Sequence, residues 1–189
     1  MIKIGILGAI GSGKSYVAKN FGYHVFNADQ EVSKLYQKDK KIFIKLNRSL
    51  PKYIHSFPIQ KEEISDAILT NKNNLNKIVK IVHTEVRKKM NNFLNTNKNK
   101  KIVILDIPLL LENKINKKKD ILVFVKSKQS DIIKKLKKRK NFNQKLFKKF
   151  KAIQYSNTYK KKKSHFIIKN DFTKKCVKKS IKNILNQII

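Results

Sequence analysis

Cysteine, proline, glycine and acidic residues are all scarce in this sequence. The 189 residues contain one cysteine, Cys176, which excludes an intramolecular disulfide and a cysteine-based metal cluster. No stretch approaches the ~18 uninterrupted apolar residues of a membrane span. The run Ile4–Ile10 is broken by glycines and carries no cleavage-site pattern, so no signal peptide is expected. A soluble chain in a reducing compartment, the cytoplasm, is the expectation. Only 12 residues are acidic against 46 basic, for a net charge of +34. Arginine is also rare: Arg48, Arg87 and Arg139 stand beside 43 lysines.

That charge admits two readings. A basic chain commonly has a nucleic-acid or membrane partner. Yet Lys, Asn and Ile together supply 89 of the 189 residues, and all three share A/T-rich codons, so nucleotide bias alone yields this mixture. Readers of phosphate and base edges lean on the planar fork of arginine, which is nearly missing. No specific nucleic-acid partner and no membrane partner is expected.

Apolar residues make up 40% of the chain, enough for a core. Runs at Ile2–Leu7, Tyr23–Phe26, Ile102–Ile107, Ile121–Val125 and Phe166–Ile168 read as strands. The third and fourth are too continuous for half-exposed strands and suit a parallel interior. Helical spacing appears at Ser15–Phe21, from Asp29 onward, and around Glu62–Leu69. It recurs at Leu75–Leu94, Asp131–Lys138, Gln144–Thr158 and Val177–Ile188. Lys38–Pro58 reads as irregular, with Pro51 and Pro58 as breakers. The clusters Lys117–Lys119 and Lys160–Lys163 read as solvated faces or frayed helix ends. Strands alternating with helices give an α/β domain with a five-stranded, mostly parallel sheet.

Gly8-Ala-Ile-Gly-Ser-Gly-Lys-Ser15 matches the phosphate-loop pattern, between a strand and a helix. Its glycines let successive N–H groups point at phosphate oxygens, and the following helix adds positive potential. Lys14 would reach the β- and γ-phosphates and Ser15 would place its hydroxyl on Mg²⁺. A plain strand–helix turn would not need Lys-Ser after glycine. Guanine recognition requires Asn-Lys-x-Asp after a strand. Asn116–Asp120 has one residue too many and precedes its strand, which disfavours a signalling or translation GTPase. The small size points to a nucleoside- or metabolite-type kinase. Asp29 follows the second strand, on the edge where open parallel sheets bind ligands. It suits two roles: accepting a proton from a substrate hydroxyl, or capping the next helix.

Several stretches together resemble the dephospho-coenzyme A kinase family, in order and over nearly the whole chain. They are the phosphate loop, Asn27-Ala-Asp29, His83 with Val86-Arg-Lys88, Asp106-Ile-Pro-Leu-Leu-Leu-Glu112, Gln154, and Phe166-Ile-Ile-Lys-Asn170. The resemblance implies a P-loop kinase fold, with a helical acceptor lobe at about 40–95 and a lid at about 127–158. It implies ATP-dependent phosphorylation of the ribose 3′-hydroxyl of dephospho-coenzyme A, with Mg²⁺. Gly11, Ser12, Gly13, Lys14, Ser15 and Tyr16 would line ATP, and Asp29 would be base or orienter. His83 and Arg87 would border the acceptor, although His83 also suits a plain helix surface. Asp106 would hold Mg²⁺ with Ser15, Arg139 would close over the transferring group, and Glu112 would be a cap or ion-pair partner. Ala9, Tyr16, Asn27 and Thr84 depart from the family pattern. The lid keeps one arginine, Arg139, between Lys138 and Lys140, and lysine lacks the bidentate fork. Another small-molecule kinase, for nucleosides or nucleoside monophosphates, and a basic nucleic-acid-binding protein with a vestigial ATP site remain the alternatives. No feature of the sequence fixes the oligomeric state.

Overall fold

The structure, a computed structural model, describes residues 1–139 and 142–189; Lys140 therefore lies outside the described residues. Five strands, β1 (Ile2–Gly8), β2 (His24–Asn27), β3 (Ile102–Asp106), β4 (Ile121–Lys126) and β5 (Phe166–Lys169), form one sheet in the order β2-β3-β1-β4-β5. Every pairing is parallel. β3 and β4 flank β1, with Ile4 opposite Ile104 and Ile121, as their unbroken apolar runs require. Because all strands run the same way, Gly8, Asn27 and Asp106 arrive at one rim. Asn27 and Asp106 are register partners there.

α1 (Lys14–Asn20) and α9 (Lys174–Ile188) cover one face, burying Ile4, Ile6, Val17, Phe21, Ile104 and Ile181. Each such isoleucine contributes about 1.5–3 kcal/mol by leaving water. The other face packs Leu7, Phe26, Leu105 and Phe124 against Met90 and Phe93 of α5 (Lys72–Thr96). The far half of α5 joins α2 (Ala28–Lys38), α3 (Lys40–Ser49) and α4 (Lys61–Thr70) around a separate helical core that includes Leu35, Leu46, Ile68 and Ile78. After β4 come α6 (Gln129–Lys137), α7 (Gln144–Ala152) and α8 (Asn157–Lys163). Among the described residues, no helix is long and apolar enough to cross a membrane.

Three expectations need correction. Lys38–Pro58 is not irregular throughout, because it contains α3. Asp39 caps that helix by accepting from Ile42 N, and Ile42 and Leu46 bury one face at i, i+4 spacing. The stretch Gln144–Thr158 is two helices, since Ser156 starts α8 by accepting from Tyr159 N. Lys160 is not on a solvated face; it is 1% exposed.

Candidate active site

The turn between β1 and α1 follows the phosphate-loop sequence. Gly11 and Gly13 adopt φ of 82° and 88°, a left-handed conformation that side chains resist. Ser12 is buried, and its carbonyl accepts from Ser127 Oγ (2.9 Å) just after β4 and Asn170 Nδ2 (2.8 Å) just after β5. The loop is thereby pinned to the sheet rim. Lys14 Nζ donates to the carbonyls of Gly8 (3.1 Å) and Ala9 (2.8 Å). Burial pushes the Lys14 ammonium down to about 8, with Lys160 adding repulsion; the carboxylates of Asp106, Asp29 and Glu112 oppose the fall.

Asp106 ends β3 almost wholly buried. Burial raises its pKa, while the Ser15 hydroxyl, the Lys14 charge, the Asn27 amide and Lys19 favour its ionised form. Asn27 Nδ2 donates to Asp106 Oδ2 at 2.6 Å, and Asn27 Oδ1 accepts from Gln30 N at 2.8 Å. Asn27 is therefore the cap of α2, not Asp29, which sits in the first turn. Solvent reaches Asp29, yet protein surrounds much of it. Burial raises its pKa, the Asp106 charge adds to the rise, and Lys14 and Arg139 oppose it. Loop lysine, the strand-end Asp106, Asp29 in the first turn of α2 and Arg139 thus share one electrostatic neighbourhood.

Ser15 and Tyr16 stand exposed at the start of α1. His83 and Arg87 lie on α5; burial and the Arg87 charge lower the His83 pKa, and Arg87 Nη2 donates to Asn113 O at 3.3 Å. Among the described residues, no hydrogen bond joins His83 or Arg87 to the phosphate loop. Glu112 is an ion-pair partner, as expected: its Oε1 lies 3.0 Å from Lys160 Nζ. Sequence reading missed Lys160, Ser127 and the double role of Asn27. An asparagine two residues before an aspartate leaves the choice of cap open, and one buried lysine among 43 gives no pattern.

A family model described as dephospho-CoA kinase matches residues 2–175. The chain belongs to the dephospho-CoA kinase family. It is 30% identical to a dephospho-CoA kinase of Wolbachia sp. subsp. Brugia malayi over 190 residues, covering 98% of this chain and 97% of that protein. The fold matches TT1252 from Thermus thermophilus with a TM-score of 0.80 at 22% identity, covering 100% and 98% of the two chains. It also matches a dephospho-CoA kinase from Campylobacter jejuni with a TM-score of 0.63 at 18% identity, covering 98% and 96%. Membership of the dephospho-CoA kinase family makes the chain a phosphotransferase with ATP as donor, and disfavours a nucleic-acid-binding protein or a nucleoside kinase.

Proposed function

We propose that the chain transfers the γ-phosphoryl group of ATP to the ribose 3′-hydroxyl of dephospho-coenzyme A, giving coenzyme A and ADP. The observation that carries this reading is the convergence of Lys14, Asp29 and Asp106 on the rim that holds the phosphate loop. Residues Gly11 to Tyr16 hold the triphosphate, with Lys14 on the β- and γ-oxygens. The Phe172 ring borders Gly13 and an adjoining groove of about 480 Å³, with Lys135 Nζ 4.6 Å from its centroid. Asp29 accepts the 3′-hydroxyl proton as that oxygen bonds to the γ-phosphorus and the bond to ADP breaks. Arg139 faces the charge on the transferring group.

Ser15 and Asp106 fit Mg²⁺, which takes hard oxygen donors and keeps waters and substrate phosphates as its other ligands. Among the described residues no cluster of three or more His, Cys, Asp or Glu offers a larger cage, and Mg²⁺ needs none. When bound, the ion neutralises phosphate charge. Residues 40–95 form the acceptor lobe, with His83 and Arg87 toward the acceptor, and residues 127–158 form the lid. Lys149 of α7 donates to the carbonyls of Ile68 and Leu69 near the end of α4, which supports a lid that rests on the lobe. The proposed setting is the cytoplasm, with no nucleic acid or membrane in the reaction.

Product analysis with ATP, Mg²⁺ and a panel of acceptors tests the reading. Dephospho-coenzyme A should be consumed and coenzyme A formed. Preferential phosphorylation of nucleosides or nucleoside monophosphates would overturn it.

A further inference from the structure

Lys160 is 1% exposed in a chain whose lysines otherwise crowd the surface. Its ammonium lies 3.0 Å from Glu112 Oε1 and donates to Gln154 Oε1 at 3.2 Å. The Glu112 side chain, 9% exposed, takes Tyr155 N–H on that same Oε1 at 2.8 Å. Among the described residues its Oε2 is buried without a hydrogen-bond partner. Taking two charges out of water is costly, and well-packed apolar residues of similar volume often stabilise a protein as much or more. Stability alone is a poor reason for this pair.

Its position suggests another. The segment between β4 and α8 leaves the sheet at Ser127, tied to Ser12 O of the phosphate loop. It returns through Gln154 and Tyr155, tied to Lys160 and Glu112. Gln154, Tyr155 and Ser156 line a cavity of about 180 Å³ together with Ala9 and Ile10 of the phosphate loop. Glu112 lies six residues beyond Asp106 on the loop after β3.

We propose that the buried Lys160–Glu112 pair anchors the return end of the lid beside the phosphate loop, which makes Lys160 and Glu112 positioning residues for phosphoryl transfer. They act through the lid that carries Arg139 and touch neither substrate. This rests on the kinase reading above. With both ends fixed, the lid presents Arg139 to one place. With the return end loose, ATP still binds the phosphate loop but the transferring group meets its cation less often. The loss belongs in kcat rather than in KM.

The full-length double variant Lys160→Met/Glu112→Leu removes the anchor and leaves no unpaired buried charge. Its melting temperature should equal or exceed that of the wild type, while kcat falls about tenfold or more and KM for ATP changes less than about threefold. Amide exchange at Tyr155 should accelerate. A stable double variant with wild-type kcat overturns the proposal. If that variant does not fold, Gln154→Ala decides, because it removes the tie from Lys160 to the return segment and leaves only that from Tyr155 N–H to Glu112. A several-fold loss of kcat at unchanged melting temperature supports the anchor, and unchanged kcat overturns it. A wild-type chain inactive on dephospho-coenzyme A would count against the functional reading alone. In that case faster exchange at Tyr155 in either variant still supports the anchor, and unchanged exchange overturns it.

Discussion

Lys14 contributes its charge where burial resists it, so its replacement should separate chemistry from folding. Lys14→Ala should abolish phosphoryl transfer, since a positioned charge at the β/γ-phosphates contributes several kcal/mol in the transition state. The melting temperature should hold, because the side chain bonds only loop carbonyls. Near-normal turnover would remove Lys14 from the mechanism. Asp29→Asn should leave stability within about 1 kcal/mol, since the cap of α2 is Asn27. Its kcat should fall about 10²-fold, while KM for ATP barely moves. The pH dependence follows from the two shifts. Asp29 works ionised, so kcat/KM rises with pH through a value raised above 3.8, a limb that belongs to the coupled Asp29–Asp106 pair. Lys14 works protonated, so the free enzyme loses activity above about 8. The wild-type profile should be a bell, and in Asp29→Asn the acid limb should be reduced to what Asp106 alone contributes. Between about 8 and the ordinary 10.5, the unfolded chain binds more protons at Lys14 than the folded one, so this residue makes stability rise with pH. At this scale the loop was legible because glycine, lysine and serine at fixed spacing have one chemistry. The cap was not, because Asn27 and Asp29 cap equally well until the strand end is known.

Among the elements, helices with a dense apolar stripe were legible and short ones were not. Leu75, Ile78, Val82, Val86, Met90 and Phe93 mark α5, and all pack against the two cores it joins. The face of α3 is only a few side chains wide and is diluted by lysines, so proline spacing outweighed it. The break between α7 and α8 falls at the Ser156 cap, and Tyr155 N–H just before it finds Glu112, 43 residues away, a partner no local window contains. The start of α4 shows how much a single side chain can organise. Glu63 accepts from His55 N, Ser56 N and Gln60 N. Burial alone would raise its pKa, but those hydrogen bonds hold it below the ordinary value of 4.5. A depressed carboxylate stabilises above its ordinary pKa and loses that stabilisation as pH falls through the folded value. Glu63→Gln should therefore cost about 1–2 kcal/mol at neutral pH, with the gap closing in acid. Thermal melts across pH check this. A gap that does not change with pH would show that the charge of Glu63 contributes nothing.

For the whole molecule, the interior places of two strands were legible in their character, whereas the order of the five strands was not. Two unbroken apolar runs, β3 and β4, had to be interior, and they flank β1. Net charge said little about fold or chemistry. If the +34 reflects composition, binding to DNA or RNA should be weak, without sequence preference, and should fall steeply with salt. Titrations of labelled duplexes at several salt concentrations measure this. Nanomolar, sequence-selective binding at physiological salt would show that the basic surface was selected for a partner.

The one-way sheet also decides how this chain tolerates change. Lys14, Asp29 and Asp106, the side chains proposed for the chemistry, belong to or rest near a single rim, and no part is proposed for the opposite rim. Lysine could spread over that remaining surface, as in Lys117–Lys119 or Lys161–Lys163, without touching the reaction. The same freedom serves the protein engineer. Those lysines can be recoloured with glutamate or glutamine to bring the isoelectric point from about 10.3 toward neutrality and ease handling or crystal growth. Lys14, Lys149 and Lys160 must be left alone, because each makes a bond the fold or the site relies on.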